Sequence, residues 1–374
     1  MKTKVLQFVS SLNDGGAETL IKEYVTNLNK EKFAAKVVAI FDAKETATTR
    51  AIKAAGIEII TVFEQYGIVE RVINHCFQEQ YITYRYRKII EAEKPHCIHI
   101  HMWLLKYFLP LSDVLKGLNI RLFYTCHSLP ERYFGKENQK EFEAAQHLLE
   151  HNNLQLIALH QAMANELNQM FDIDNTIVLN NCIDLERFMS VEITQAQIRA
   201  SIGIPTDAFV VGHVGRLSEV KNQLFLIDVF YEIYNKKKNA FLLLVGEGVL
   251  RKQIEEKLAF LNLTDRSLIL EHRSDIPQIM KAMDVFVFPS LYEGFGIVLI
   301  EAQIIGLPCI ISDKVPAETI ISNLVYIKSI SASASDWAES VCVKKAETVE
   351  YYSRDDWDVR NVVGRLAQIY DKSI

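Results

Sequence analysis

Short apolar runs alternate with longer amphipathic stretches along most of the chain. The first run, VLQFVSSL (5–12), breaks at Asn13-Asp14-Gly15-Gly16, after which apolar residues recur at helical spacing through TLIKEYVTNL. Further strand-like runs are KVVAIF (36–41), IEIITV (57–62), CIHIHMW (97–103), RLFYTCH (121–127), LQLIAL (154–159) and NTIVLNN (175–181). A polar connection (182–207) shows no strand pattern. A second series then runs through AFVVGHVGRL (208–217), AFLLLVGEG (240–248), SLILEH (267–272), VFVFPS (285–290) and LPCIISD (307–313). Strands separated by helices in this way predict parallel sheets covered on both faces. The expected fold class is α/β: two Rossmann-like, doubly wound parallel-sheet domains, 1–190 and 191–354, with a C-terminal helix (355–374) packing back on the first. Sheets of this kind bind ligands beyond the carboxyl ends of their strands, so a site in a cleft between the two domains is expected.

Composition narrows the function classes. A chain of 374 residues suits two domains, and 41 basic against 47 acidic residues leave a formal net charge of −6. Nucleic-acid binding, which leaves a basic footprint, gains no support. Six cysteines stand at 76, 97, 126, 182, 309 and 342 with no Cys-x-x-Cys among them, mostly inside apolar runs, which points to a reducing compartment. No run approaches the roughly 18 apolar residues of a membrane span. The first apolar run is too short for a signal peptide and ends in a turn rather than a cleavage site. A cytoplasmic location follows as the expectation.

Candidate chemistry gathers at strand ends. In PSLYEGFGIVLIEA (289–302) a strand ends at Pro289, a glycine turn follows, and a helix begins. A helix N-terminus favours an anion, and Gly294 and Gly296 let backbone approach it closely. Glu293 at the loop tip and Glu301 about two turns deeper suit hydroxyls on either side of a phosphate. Taken alone the pattern is more often an N-terminal carboxylate and an unrelated glutamate. At the end of another strand, GHVGRLSEVKNQ places Gly215, Arg216 and Lys221 at the same sheet edge, with two cations suited to a departing diphosphate.

GRLSEVKN, followed by PSLYEGFGIVLIEAQIIGLP, resembles the group 1 (family 4) retaining glycosyltransferases, of the kind found in bacterial polysaccharide and glycolipid biosynthesis. SLNDGGAETL, HIHMW, LNNCIDLERF, HRSDIPQIMKAMDVFVFPS and the C-terminal helix fit the same pattern, so the resemblance spans the chain. It implies the GT-B architecture, with acceptor binding in the first domain and donor binding in the second. Arg216 and Lys221 would hold the donor diphosphate, Glu293 hydroxyls of the donor sugar, and the backbone of Gly294, Phe295, Gly296, Ile297 and Val298 the distal phosphate. Glu301 would take the ribose. Gly15 and Gly16 would form the glycine loop of the first domain, His127 would face the donor sugar, and Arg273 would stand at the nucleobase pocket. The resemblance implies a metal-independent, retaining transfer, with no cofactor. The donor would be a nucleotide-sugar, a UDP-sugar foremost, and the acceptor a glycan or lipid-linked sugar. A soluble transferase making a disaccharide or small-metabolite glycoside is the alternative, and a catalytically silent binding protein of the same fold a second one. Departures from the pattern are LNNCID, with Asn-Cys where Asn-Gly is common, and VPAET, which leaves a donor role for Glu318 in doubt.

Other signals carry less. His99 and His101 share a strand face but supply two metal ligands at most, with no accompanying carboxylates. Asp356-Trp357-Asp358 opens a helix and reads as an N-terminal charge cluster. Gly246-Glu247-Gly248 reads as a tight turn bordering the donor pocket. The basic, aromatic stretch Tyr81–Lys88 reads first as an amphipathic helix packing tyrosines on the sheet. Its alternative is peripheral contact with the inner face of the cell membrane.

Overall fold

A computed structural model describes residues 2–13, 15–41, 45–63, 77–271, 273, 275–341 and 348–371. Asp14, Cys76, His272 and Cys342 therefore lie outside the described residues. The chain divides into two compact units, Met1–Cys182 with Asp356–Ile374, and Ile183–Asp355.

The first unit is built on seven strands: β1 (Thr3–Val9), β2 (Phe33–Phe41), β3 (Ile59–Phe63), β4 (Cys97–His101), β5 (Arg121–Thr125), β6 (Gln155–Ala158) and β7 (Ile177–Val178). All paired strands are parallel, in the order β3-β2-β1-β4-β5-β6-β7. Residues 5–9 and all of β4 are buried, because helices cover both sheet faces and a central parallel strand has no solvent side. Val9, Ile21, Val25, Val37 and Ile52 form one core cluster, joining β1 and β2 to the helices Gly16–Asn27 and Ala47–Ala54. The C-terminal helix, Val359–Asp371, packs against Gly16–Asn27 and belongs to this unit. Asp358 precedes it, accepting from the Arg360 backbone N–H at 2.8 Å, so this aspartate serves the helix start.

The second unit carries β8 (Phe209–Val214), β9 (Ala240–Val245), β10 (Ser267–Leu270), β11 (Val285–Phe288), β12 (Cys309–Ser312) and β13 (Val325–Lys328). These too are parallel, in the order β10-β9-β8-β11-β12-β13. β13 was not foreseen: it has four residues at a sheet edge, none fully buried, and so lacks a long apolar run. The division between units falls after Cys182, ahead of the expected 190. The helix Leu185–Met189 packs on Ile297–Ile304 of the second unit, which draws it across. The polar connection is itself structured. A capping box at Thr194 and Gln197 starts the helix Gln195–Ser201, and Arg199 from that helix donates to Asp284 at 2.7 Å and to the Ala282 and Thr206 carbonyls.

In each sheet the strand order reverses direction once, between β1 and β4 and between β8 and β11. That reversal is where doubly wound sheets open a ligand crevice. Among the described residues no helix is long and apolar enough to cross a membrane. Cys97, Cys126, Cys182 and Cys309 are buried free thiols, and burial pushes Cys97 up to about 11 and Cys126 to about 12. The stretch around Tyr84 lies on the helix Gln78–Glu93, which buries Ile82, Tyr86, Ile89 and Ile90 and leaves Tyr84 exposed.

Candidate functional site

The second unit's site stands on its sheet reversal. β8 and β11 are neighbours there, with Phe286 opposite Gly212. Each is followed by a loop: 215–222 after β8, and 289–296 after β11. The two loops are tied by the Leu291 N–H donating to the Val220 carbonyl at 2.8 Å.

Lys221, at the end of a 3-10 turn (Glu219–Lys221), sends its Nζ to Glu293 Oε1 at 2.6 Å. The pair is largely shielded, with 18% of the lysine side chain and 8% of the glutamate side chain exposed. The ammonium also stands 4.8 Å from the centre of the Phe288 ring, a cation–π contact at the end of β11. Gly296 has φ +80° and ends the loop in a left-handed turn, from which the helix Ile297–Ile304 starts. A Cβ on Gly296 would lie 3.5 Å from Glu293 Cγ, so the glutamate folds over the turn. Ile297 and Val298 are the first helical residues, whose N–H groups have no partner within the helix. Phe295, just before Gly296, is buried.

The loop after β8 is pressed into shape from two sides. Gly246 and Gly248, with φ +143° and +159°, lie so close that a Cβ on either would collide with the carbonyl oxygen of Gly215 or Leu217. The Leu217 N–H donates to the Glu247 carbonyl at 2.8 Å. From below, Gln223 donates to the Arg216 carbonyl at 2.8 Å and to His213 Nε2 at 3.3 Å. The other His213 nitrogen lies 2.9 Å from the Val287 carbonyl, which only accepts, so Nδ1 carries the proton. Burial lowers this histidine to about 4 and keeps it neutral. The loop thus rests on a rigid polar floor, and Arg216 at its tip is exposed.

The predicted residues divide accordingly. Gly215, Lys221, Glu293 and Gly296 come together; the Cβ position of Gly215 lies 3.4 Å from Lys221 Cε. Glu301 lies partly buried further along the helix that Gly296 starts. Arg273, in the loop after β10, grips Asp275 through two bonds of 2.7 and 2.6 Å at the start of the helix Ile276–Lys281. Glu318 lies in a 3-10 turn after β12. Gln303 braces that turn by donating to the Thr319 carbonyl at 2.8 Å and accepting from the Ile321 N–H at 2.9 Å.

Gly15, Gly16 and His127 belong to the first unit. Gly15 caps the helix Gly16–Asn27, and a Cβ there would collide with the Glu18 carboxylate. His127 follows β5, and its Nε2 meets His101 Nδ1 at 2.8 Å. Neither His99 nor His101 is available to a metal. Both are fully buried, and both nitrogens of each ring are hydrogen-bonded. Among the described residues no group of three or more His, Cys, Asp or Glu is arranged to hold a metal ion. Sequence reasoning missed Phe288, Gln223 and His213 in the second unit, and Gln7 and Tyr370 in the first. The available signal was a polar residue inside an otherwise apolar run, as in VLQFV and VVGHV.

Two doubly wound units, with loops gathered at the strand reversal, have the GT-B fold. The solved structure of Anabaena Alr3699/HepE in complex with UDP and glucose has the same fold, with a TM-score of 0.76 and 19% identity over 99% of this chain and 100% of that one. The chain belongs to the group 1 (family 4) glycosyltransferases: the model described as "Glycosyltransferase Family 4" matches residues 14–187 and "Glycosyl transferases group 1" matches 194–341. EpsF of Bacillus subtilis (strain 168) is 29% identical over 99% of this chain and 97% of its own length. The UDP-Gal:alpha-D-GlcNAc-diphosphoundecaprenol alpha-1,3-galactosyltransferase of Escherichia coli is 39% identical over 36% of each chain.

Proposed function

We propose that this glycosyltransferase moves a sugar, with retained configuration and without a metal ion, from a UDP-sugar to a hydroxyl of a glycan or lipid-linked acceptor in surface-polysaccharide assembly. The observation that carries the donor reading is the Lys221–Glu293 contact of 2.6 Å beside the Gly296 turn. It puts a cation, a carboxylate and a helix N-terminus within one small volume. The cation and the helix suit a diphosphate, and the carboxylate suits sugar hydroxyls.

In this reading Lys221 and exposed Arg216 stabilise the charge that builds on the leaving diphosphate as the sugar C1–O bond breaks. The acceptor oxygen bonds to C1 on the same face and passes its proton to the departing phosphate oxygen. Glu293 holds donor-sugar hydroxyls, Glu301 the ribose, and His127 of the first unit a further hydroxyl of the sugar. UDP is favoured because HepE was solved with it and the E. coli relative is named for a UDP-sugar and a diphosphoundecaprenol acceptor.

Thermal unfolding with UDP, GDP, ADP and their sugars tests the donor. A ligand at 100 times its dissociation constant stabilises by about 2.7 kcal/mol, so UDP and one UDP-sugar should raise the melting temperature by several degrees. No shift with any nucleotide would overturn the donor reading. NMR of the product's anomeric proton, with EDTA present, then reads the configuration and the metal requirement.

A further inference from the structure

Six polar groups inside the first unit form one unbranched chain of hydrogen bonds: His127, His101, Gln7, Tyr370, His99 and Thr125. They come from β1, β4, β5, the residue just after β5's loop begins, and the C-terminal helix. The separations, in order, are 2.8, 2.7, 2.9, 2.6 and 2.7 Å. Gln7, His99, His101, Thr125 and Tyr370 are fully buried, so no water competes for these bonds.

The direction of the chain is set at Gln7, which turns its Oε1 to His101 and its Nε2 to the Tyr370 hydroxyl. An amide oxygen only accepts, so His101 carries its proton on Nε2. A neutral imidazole holds one proton, which leaves His101 Nδ1 as an acceptor, and His127 must donate to it from Nε2. On the other side Gln7 donates to the Tyr370 oxygen, Tyr370 donates to His99 Nδ1, and His99 donates to Thr125 Oγ1. Neutrality of the rings has a physical cause: burial lowers His99 to about 3, His127 to about 4, and His101 well below its ordinary value. Burial likewise keeps Tyr370 protonated. Turning the Gln7 amide over would reverse all five bonds together and put the His127 proton on Nδ1.

We propose that Gln7, His101 and Tyr370 are positioning residues that fix the tautomer of His127, leaving its Nδ1 an unprotonated acceptor for a hydroxyl of the donor sugar. Nδ1 takes no partner among the described residues. The choice of a donor-sugar hydroxyl rests on the function proposed above; the tautomer does not. Tyr370 lies on the last helix of the chain, so the end of the polypeptide would set the hydrogen-bonding sense of a residue after β5.

The experiment is a long-range proton–nitrogen correlation on full-length, 15N-histidine-labelled protein at pH 7, followed by the Tyr370→Phe variant. The expected wild-type signature for His127 is protonated Nε2 and bare Nδ1; a protonated Nδ1 would overturn the proposal. Tyr370→Phe keeps the ring against Phe123, 5.3 Å between centroids, and removes only the hydroxyl that orients Gln7. The variant's His127 should become a tautomer mixture, and because only the share with a bare Nδ1 is competent, its kcat/KM with the UDP-sugar should fall about twofold. Its affinity for UDP itself should be unchanged. A His127 signature that stays put in the variant would refute the positioning role, and if the variant fails to fold the wild-type spectrum still decides. Should neither protein bind UDP, the donor reading falls while the tautomer result stands on its own.

Discussion

Replacing Glu293 by Gln should weaken the fold and strengthen nucleotide binding at once. In the free protein Lys221 is held by Glu293 at 2.6 Å in a largely dry setting. Breaking a fully buried pair costs about 3–5 kcal/mol. Here the lysine retains some solvent and the Phe288 face, and glutamine retains an acceptor oxygen, so a loss of about 2 kcal/mol is expected. For a unit of this size that is a fall of about 4–8 °C in melting temperature. A donor diphosphate must draw Lys221 away from Glu293, so freeing the lysine should tighten UDP about fivefold, by about 1 kcal/mol. Transfer should nonetheless fall, because the amide no longer offers a charged acceptor to sugar hydroxyls. Urea unfolding and UDP titration of Glu293→Gln, Lys221→Met and the double variant form a cycle, with an expected coupling of about 1–3 kcal/mol. Additivity within about 0.5 kcal/mol, together with unchanged or weaker UDP binding in Glu293→Gln, would refute the reasoning.

Acid should destabilise the protein before carboxylates alone would. His99, His127 and His213 bind protons readily only when unfolded, with folded values of about 3, 4 and 4 against an ordinary 6.5. Protons therefore favour the unfolded chain between those limits, and stability should drop as pH falls below about 6.5, by about 1.4 kcal/mol per unit for each histidine. Urea midpoints measured at pH 7 and 5 check this, and equal midpoints would contradict it. Gly246→Ala should displace the Arg216 loop and abolish the UDP-induced thermal shift, with far-UV circular dichroism unchanged, at a cost of about 1–3 kcal/mol. Gln303→Leu should cost about 2–4 kcal/mol, since it strands the buried Ile321 N–H and the Ser322 hydroxyl. A denaturant midpoint equal to that of the wild type would dispose of that claim.

The legible parts of this molecule are those where local pattern and topology agree. Apolar runs separated by amphipathic helices announce a parallel sheet, and right-handed crossovers leave few strand orders to choose from. Once β8 and β11 are neighbours, the loops bearing Lys221 and Glu293 must open on the same sheet edge, although 72 residues separate them. That is why the core of the candidate site could be assembled from strand ends alone. Less legible was the pairing of Arg273 with Asp275, two residues away, a local bidentate bond that no strand pattern announces. The hydrogen-bonded chain behind His127 was the least legible, for a different reason. A strand buried on both faces has no polar side, so periodicity cannot say which face Gln7 or His99 occupies. Their partner, Tyr370, enters from a helix 363 residues away from Gln7. Yet burying Gln7 and two histidines in adjacent strands is costly unless each polar atom is satisfied. A polar residue in the middle of a doubly buried strand is therefore a statement about a partner elsewhere. In this chain the partner is the C-terminal helix, and the network they share ends at His127.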